Sequence, residues 1–502
     1  MVFSSEKLRV KLVLTALFSV LVLFSGDLSA QTKKTSNQRK NQTSVKNDSK
    51  NQAKNSASKP DKSAKAKPAD LKKQTEAKRQ AAIEQAKRQA AAEARRQMIL
   101  AEQRRRAEIA REAELRRIAF ERGLRAETTA NISNDNTDGE DLEVRRAALN
   151  ALGNHAGTIV VLEPQTGRVL SIVNQDWAIR KSFKPCSTIK LVTAVAGLNE
   201  NVITADGNIR NRNFPLNLDD AIAFSNNSYF QAVGRNLGNE KMLAYAKMLG
   251  LGQPTGINAE NETGGRIAVG NNNARIYSHG DDFEVTPLQL GVIVSAITNG
   301  GKIIIPQIPR TKFEKSNFRG AMRYQLNLPN DTFQNIIPGM IGAAAYGTAH
   351  RGMDSTLEVA GKTGTCIGQG SWLGLFASVA PIENPKLAVI VITRGQAERG
   401  KIAAAIAGNV YESLKYRLVT RGGGNLAKIP LELRPQTKVN AKVAAQIDAL
   451  EGEDSDDNDA AVKPAPKKSV KKTEKSADLF RTIVVKVKKS NEITRPRIAP
   501  NN

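Results

Sequence analysis

Residues 357–393 read LEVAGKTGTCIGQGSWLGLFASVAPIENPKLAVIVIT. Three segments of this stretch are rich in β-branched and other apolar residues, and turn-forming Gly, Pro, Asn and Ser residues separate them. The segments cover residues 357–365, 372–379 and 386–393. The stretch therefore predicts three consecutive β-strands near the end of a folded region.

Two further β-rich runs lie far upstream, at residues 156–162 and 167–173, and the short turn sequence EPQT between them predicts a hairpin. Apolar and helix-forming segments predict helices at residues 187–198, 219–250, 286–299 and 402–416. Strands that come first and last in the chain must rejoin in one sheet across a long helical insertion. The order of elements therefore predicts an α+β fold.

Composition divides the 502 residues into a globular region and two polar flanks. Residues 146–420 have the composition of a folded domain. The flanks are predicted as a disordered basic linker at 31–70, a long charged helix at 71–126, a linker at 127–145 and a disordered tail at 421–502. The helix has no sustained heptad pattern, which favours a solvated spacer over a coiled-coil dimer.

Residues 1–30 have the pattern of an export signal. A basic start with Lys7, Arg9 and Lys11 precedes an apolar run of 13 residues, and Ala30 offers a small residue for cleavage. Both a cleaved signal peptide and an uncleaved signal anchor remain open, and cleavage is favoured. Either one predicts an exported protein, in a periplasm or on the outer face of the cytoplasmic membrane.

The net charge of +26 lies mostly outside the globular region. Residues 31–126 carry 27 Lys and Arg against 11 Asp and Glu, and the tail also has a basic excess. Basic flanks bind anionic polymers or surfaces. For an exported chain, we expect residues 31–126 to bind an anionic membrane or cell-wall polymer, and we expect no nucleic acid partner.

Three short motifs in the globular region point to chemistry. They are Ser187-Thr188-Ile189-Lys190, Ser225-Asn226-Asn227 and Lys362-Thr363-Gly364-Thr365. The first pattern, S-x-x-K, also begins at Ser4, Ser56 and Ser469, so it carries meaning only in a foldable context and beside the other two. Together the motifs supply the groups of a serine acyl transferase that acts on a peptide with a free carboxylate.

Each motif residue has an expected role. Ser187 at a helix start is the candidate nucleophile, and Lys190, three residues later on the same face, is the candidate base, because an apolar shell favours its neutral amine. Ser225 is a candidate proton relay. The candidate substrate-binding residues are Asn227, Lys362, Thr363, Gly364 and Thr365. Gly364 inside a predicted strand indicates close approach of a ligand to the backbone.

Two cysteines, Cys186 and Cys366, and three separated histidines offer no pattern of metal ligands. We therefore expect no metal site and no cofactor. In an exported protein, two cysteines most simply form one disulfide.

The motifs and several other segments resemble the transpeptidase domain of penicillin-binding proteins, in the serine β-lactamase and penicillin-recognising superfamily. The additional segments are residues 158–170, 183–187, 285–290 and 299–301. The resemblance covers a little over half of the chain. It implies a mostly antiparallel five-stranded sheet flanked by helices, with an all-α subdomain. It also implies that the penultimate carbonyl of a D-Ala-D-Ala stem peptide acylates Ser187, and that β-lactams inhibit by acylating the same serine.

The chain departs from the family pattern at Cys186, where the family usually has Gly. Cys366 lies two residues past Gly364, and this pair resembles an arrangement in some class A β-lactamases with a disulfide beside the active site. The resemblance therefore predicts a Cys186–Cys366 bridge.

Several functions remain open at the level of sequence. A D,D-transpeptidase that cross-links peptidoglycan is the leading prediction, and a D,D-carboxypeptidase would differ only in using water as the acceptor. A serine β-lactamase is the second class. It is disfavoured because Ser225-x-Asn227 fits penicillin-binding proteins and no motif supplies a deacylating Glu. A non-catalytic wall-binding or sensor protein is disfavoured because all three motifs are intact.

Overall fold

A computed structural model describes residues 68–418, and residues 433–435, 439–440, 442–443 and 446. The chain divides into two compact units, Met1–Arg95 and Arg96–Asn502. The described part of the first unit, residues 68–95, is entirely helical. The predicted signal at 1–30 and the predicted basic linker up to residue 67 lie outside the described residues.

The described helices follow one another through the chain. They are α1 (Pro68–Ser133), α2 (Leu142–Leu152), α3 (Lys190–Asn199), α4 (Leu218–Ala223), α5 (Asn227–Leu237), α6 (Asn239–Met248), α7 (Pro287–Thr298), α8 (Lys312–Ser316), α9 (Asn330–Gln334), α10 (Ile337–Ala345), α11 (Gly400–Ser413) and α12 (Lys415–Leu418). Shorter helical turns occupy Asp176–Arg180, Cys186–Ile189, Ala274–Tyr277 and Ser355–Leu357. None of the helices in the described ranges combines the length and apolar content that crossing a bilayer requires.

Five strands form the main sheet, and two short strands form a separate hairpin. The strands are β1 (Gly157–Leu162), β2 (Val169–Val173), β3 (Lys302–Ile304), β4 (Met322–Gln325), β5 (Ala360–Gly368), β6 (Ser371–Ala380) and β7 (Leu387–Gly395). The main sheet has the order β2-β1-β7-β6-β5, and every neighbouring pair is antiparallel. The early hairpin and the three late strands thus rejoin across the helical insertion, which confirms the predicted α+β fold.

The sheet has a hydrophobic core on each face. In β7, Ala388, Ile390 and Ile392 belong to one core, whereas Val389 and Val391 belong to the other. Successive strand residues point to opposite faces, so a strand covered on both sides reads as a continuous apolar run. The helices α2 and α11 cover one face, and α7 and the helical insertion cover the other.

The long helix extends beyond its predicted end at residue 126, to Ser133. Its last turns are held by the folded domain, because Leu124 and Thr128 are buried and Glu127 accepts a hydrogen bond from Trp177 Nε1 at 2.9 Å. Earlier turns are exposed and carry ion pairs at i, i+4 spacing, such as Arg106 with Glu102. The role of the helix as a spacer stays a prediction.

The segment 127–145, predicted as a linker, is folded. After α1 ends, Asp135 and Glu140 turn inward and bind Arg145 of α2 at 2.8 and 3.1 Å. The three side chains are only 1%, 0% and 8% exposed, respectively. The acidic, polar composition of the segment predicted that it is solvated. These carboxylates instead accept hydrogen bonds from a buried guanidinium, from the Ile172 amide of β2 and from the Asn174 and Gln175 amides just past β2.

Most of the predicted disordered tail, residues 421–502, lies outside the described residues. Among those that are described, Leu433 and Val439 are partly buried against the larger hydrophobic core.

Candidate active site

Ser187 lies in the single helical turn Cys186–Ile189, which leads directly into α3. A tight turn of this kind brings side chains at positions i and i+3 onto one line. Lys190, the first residue of α3, therefore places Nζ 3.0 Å from Ser187 Oγ. Ser187 is partly exposed, whereas Lys190 is fully buried.

Lys190 Nζ lies within hydrogen-bond distance of several oxygens besides the Ser187 hydroxyl. It donates to the backbone carbonyl of Ser225 at 2.6 Å and to Asn227 Oδ1 at 2.7 Å. Ser225 Oγ lies 3.0 Å away. The first two motifs, 35 to 37 positions apart, thus meet at one amine.

The Ser225 motif occupies the sharp turn between α4 and α5. Ser225 itself has a positive φ of 59°, which is uncommon for a residue with a side chain and costs on the order of 1–3 kcal/mol. Cys186, beside the nucleophile, has a φ of 50°. Non-glycine residues in this region cluster at functional sites, where the surrounding structure holds them. Here both strained residues border the same serine–lysine pair.

Lys362 of β5 is the second buried lysine of the site. Its Nζ donates to Ser225 Oγ at 2.7 Å and to the carbonyl of Thr363 at 3.0 Å. Its side chain has no exposed surface. Burial is the main cause that holds the pKa of Lys362 well below its usual range, and Lys190 adds repulsion whenever it is protonated. Ser225 Oγ therefore lies between two amines.

The edge strand β5 forms one wall of the site. Thr363 Oγ1 lies 2.6 Å from Thr348 Oγ1, and Thr365 Oγ1 accepts from the Gly400 amide at 2.8 Å. Gly364 between them faces the nucleophile turn, since a Cβ there would lie 3.2 Å from the Pro185 carbonyl oxygen. A side chain at this position would be in unusually tight contact with the turn, so the turn or the strand would have to shift by a few tenths of an ångström.

Residues 157–412 match the family model described as the penicillin binding protein transpeptidase domain. The chain belongs to this family. The match begins at β1 and ends within α11, so it contains the whole sheet and all three motifs.

Curated relatives are similar at modest identity. The chain is 25% identical to the peptidoglycan D,D-transpeptidase MrdA of Haemophilus influenzae over 359 residues, which cover 54% of this chain and 55% of that protein. It is 28% identical to stage V sporulation protein D of Bacillus subtilis over 283 residues, with coverage of 48% and 43%. The chain thus spans about half the length of the curated relatives it matches.

The chain is also similar to solved structures of penicillin-binding proteins. One is the Pseudomonas aeruginosa PBP2 in complex with WCK 5153, with 23% identity and a TM-score of 0.49. The similarity covers 58% of this chain and 80% of that chain.

The transpeptidase domain contains the predicted disulfide. Cys186 and Cys366 are bonded, with their Cα atoms 5.6 Å apart. Both residues are fully buried. The bond connects the turn that carries Ser187 to the strand that carries Lys362, so the first and third motifs are covalently joined.

A cavity of about 380 Å³ opens beside Ser187. Its lining consists of hydroxyl groups and two cations: Ser187, Ser225, Thr348, Thr363, Thr365, Arg399 and Lys401. Because the lining carries two cations and no Asp or Glu, the cavity is suited to an anionic substrate.

Within the described part of the chain, His, Cys, Asp and Glu side chains form no group of three or more that could hold a metal ion.

No sequence motif indicated three of the lining residues. Thr348 follows α10 in a loop, and no spacing distinguishes it from other threonines. Arg399 and Lys401 flank Gly400 at the start of α11. The sequence signal for them was weak, because a basic pair around a glycine at a helix start is common.

Proposed function

We propose that this chain is a serine D,D-transpeptidase that cross-links peptidoglycan stem peptides through an acyl-enzyme on Ser187. The observation that carries the proposal is the position of Lys190 Nζ, 3.0 Å from both Ser187 Oγ and Ser225 Oγ. A serine hydroxyl needs a neighbouring base to become a nucleophile. Membership of the penicillin-binding transpeptidase family supports the same activity.

The neighbours of Lys190 favour its role as the base. A neutral amine has two N–H donors and one lone pair. The Ser225 carbonyl and Asn227 Oδ1 can only accept, so they take N–H groups. The lone pair then faces the hydroxyl of Ser187. As Ser187 Oγ attacks the penultimate carbonyl of a D-Ala-D-Ala stem peptide, its proton passes to Lys190.

The attack converts the carbonyl into a tetrahedral oxyanion. The backbone amides of Ser187 and Thr365 are the proposed donors to it. Strand β5 is at the edge of the sheet, and its free side faces the nucleophile turn, to which the Cys186–Cys366 bond holds it. This wall is therefore fixed before the substrate arrives.

Collapse of the intermediate breaks the peptide bond, and the leaving amine of D-Ala needs a proton. Ser225 Oγ, in contact with both Lys190 and Lys362, can pass that proton from Lys190 to the amine. An amine of a second stem peptide then attacks the ester and loses its proton by the reverse route. The new peptide bond forms as Ser187 regains its hydroxyl hydrogen.

The free carboxylate of the stem peptide is the proposed partner of Lys362, Thr363 and Thr365. A carboxylate near Lys362 restores the charged form that burial disfavours. Penicillins carry a carboxylate and a strained amide in a similar relation, so they should acylate Ser187 and remain bound.

Mass spectrometry of the intact full chain with benzylpenicillin tests this function. We expect an adduct that persists for hours in the wild type and is absent in Ser187→Ala. Ser469→Ala, in the S-x-x-K copy of the tail, is the matched control and should keep the adduct. A short-lived adduct with continuous penicillin turnover would indicate a β-lactamase instead. No adduct at all would contradict an acylating serine.

The flanking segments complete the proposal. Residues 1–30 would export the chain and place the transpeptidase domain in a periplasm or on the outer face of the cytoplasmic membrane. The basic segment 31–126 would bind an anionic membrane or wall polymer. A green fluorescent reporter, which does not fold after general export, should stay dark when fused to residues 1–30, and bright cells would contradict export.

A further inference from the structure

The loop of residues 396–399 joins β7 to α11 and lies directly on the wall of the cavity. A Cβ on Gly374 of β6 would lie 2.5 Å from the Arg399 carbonyl oxygen, and Gly374 pairs with Thr365 in the β5–β6 ladder. A Cβ on Gly400 would lie 2.7 Å from a backbone oxygen of β5. The backbone of the loop therefore packs on the motif strand and its neighbour with no side chain between them.

One hydrogen bond connects the end of this loop to the site. The Gly400 amide donates to Thr365 Oγ1 at 2.8 Å. This amide belongs to the first turn of α11, where backbone N–H groups have no partner within the helix. Thr365 is proposed above to donate to the oxyanion and to bind the substrate carboxylate. A displacement of Gly400 would therefore change the surroundings of a threonine that the reaction uses.

The side chain of Glu398 anchors the loop to a segment far away in the sequence. Its Oε1 lies 2.7 Å from Nδ1 of His155, which lies between α2 and β1. Glu398 is only 8% exposed, and it folds over the backbone, since a Cβ on Gly395 would lie 3.3 Å from Glu398 Cγ. Among the described residues, His155 is the only side chain that binds this carboxylate.

The place of the Glu398 carboxylate depends on His155. The second oxygen, Oε2, is buried and accepts no hydrogen bond from the described residues. Removal of one partner from a buried pair leaves an uncompensated charge in a site with little access to water. Loss of the contact would therefore drive Glu398 toward solvent and displace the loop that carries it.

Arg399 would pass such a displacement on to Gly400. Its Nη1 donates to the carbonyls of Gln396 and Glu398 at 3.3 and 2.8 Å. Its guanidinium also stacks on Trp372, with Cζ 3.5 Å from the ring centre. These contacts stiffen the loop, so a movement of Glu398 is carried to the next residues and is not absorbed within the loop.

We propose that Glu398 is a positioning residue of the transpeptidase site, which holds the Gly400 amide against Thr365 through its contact with His155. This inference rests on the proposed function, because Thr365 has its role in the acylation of Ser187. Glu398 does not touch the substrate. Its loss should therefore slow the reaction without removing any group that binds or reacts.

Acylation of the full chain by benzylpenicillin, measured as a second-order rate constant, tests this role. Glu398→Ala should acylate about 10- to 100-fold more slowly, since a misplacement of about 1 Å can cost up to 10²-fold. His155→Ala removes the same contact and should slow acylation by a similar factor. Glu398→Gln keeps an oxygen that can accept a hydrogen bond from His155, so it should restore most of the rate. Wild-type rates in both alanine variants would overturn the proposal.

A double-mutant cycle with Thr365 tests the route of the effect. Thr365→Val lacks the oxygen that accepts from the Gly400 amide. If Glu398 acts through this bond, Glu398→Ala should have little further effect on acylation in the Thr365→Val background. Losses that simply multiply in the double variant would overturn the proposed route.

Arg145→Leu is the control for a general loss of stability, because it breaks a different buried ion pair, outside the cavity lining. At a temperature at which all variants are folded, Arg145→Leu should acylate at the wild-type rate. An equal slowing in Arg145→Leu and Glu398→Ala would assign the effect to stability and overturn the positioning role.

Hydrogen exchange of backbone amides tests the same contact without acylation. A peptide that covers residues 397–404 should exchange faster in Glu398→Ala than in the wild type, because the first turn of α11 is no longer held. Glu398→Gln and Arg145→Leu should keep the wild-type protection. Unchanged exchange in Glu398→Ala would count against the positioning role alone, whereas failure of the wild type to form any adduct would count against the proposed function alone.

Discussion

Cys186 is bonded to Cys366 across 180 positions of the chain, and the bond lies directly beside Ser187. One partner precedes the nucleophile, and the other lies two residues past Gly364. The bond therefore closes a very long loop and also sets the distance between the serine turn and the edge strand β5. Stability and activity should respond to its loss through different mechanisms.

Replacing both cysteines by serine should lower the free energy of unfolding by about 3–5 kcal/mol, because the open chain regains loop entropy when it unfolds. Urea denaturation with and without a reductant measures this. The reductant should destabilise the wild type by a similar amount and leave the double variant unchanged. Equal stability of the oxidised wild type and the double variant would refute the entropic contribution. Acylation of the double variant should also be slower, since β5 is no longer held against the turn.

Replacing Lys190 by Met should slow acylation by penicillin about 10²–10⁴-fold, the usual contribution of a general base. Lys190→Arg should be nearly as slow, because a guanidinium stays protonated and cannot accept the proton of Ser187. Lys302→Met, at an exposed position of β3, is the control and should acylate normally. A fast Lys190→Arg variant would show that the amine acts only as a charge.

The sheet and the main groups of the site could be predicted from sequence for a physical reason. Strands β5 to β7 are buried on both faces, so they appear as apolar runs at 357–365, 372–379 and 386–393, close to their observed bounds. The motif residues are chemically unusual as a set. The sequence spacing of Ser187 and Lys190 predicts their contact, because the two residues are one helical turn apart.

Other features depend on contacts that no local pattern records. The composition around Asp135 and Glu140 predicts an acidic linker. It does not reveal that both carboxylates are buried, because residues that bind them lie in β2 and α2. Arg399 becomes part of the site only because Trp372 and Gly400 bring it to the cavity. Such residues are chemically ordinary, and only their tertiary neighbours distinguish them.

The lowered pKa of Lys362 predicts a pH dependence of stability. Between that lowered pKa and the unfolded value near 10.5, the unfolded chain binds more protons than the folded one. The free energy of unfolding should therefore rise with pH in this window. Lys362→Met should remove this contribution, whereas Lys302→Met should retain it. Urea denaturation at a series of pH values compares the slopes, and identical slopes in all three proteins would exclude a depressed pKa.

The same group predicts a pH dependence of binding. As pH rises through the lowered pKa, Lys362 loses the charge that attracts the substrate carboxylate. Acylation by penicillin should therefore decline at a pH below the usual range of a lysine. Lys362→Arg, which keeps its charge, should move this decline to higher pH. A decline at the same pH in both proteins would assign it to another group.

The contact between His155 and Glu398 predicts that stability also depends on the protonation of His155. The hydrogen bond to Glu398 raises the pKa of His155 above 6.5, although burial acts in the opposite direction. The stabilisation by protonated His155 is complete below the pKa that His155 has in the unfolded chain. It is lost as pH rises through the pKa of His155 in the folded protein. In Glu398→Gln the pKa of His155 should fall. Proton NMR of the histidine rings in the wild type and in Glu398→Gln measures the change.

The cluster of Arg145, Asp135 and Glu140 joins the end of α1 to the sheet. Burial raises the pKa of both carboxyl groups, even though Arg145 lies beside them. Removal of Arg145 would leave two carboxylates in a site with almost no access to water.

Arg145→Leu should therefore lower the free energy of unfolding by about 3–5 kcal/mol, as expected when one partner of a buried ion pair is removed. Its neighbour Arg146 is exposed on the same helix, so Arg146→Leu is a matched control with a small effect. The loss of stability should be smaller at low pH, because protonated Asp135 and Glu140 are neutral and cost less to bury than the carboxylates. Urea denaturation at pH 5 and pH 8 measures both effects. A loss that is equal for the two arginines would show that segment 127–145 behaves as the linker predicted from its composition.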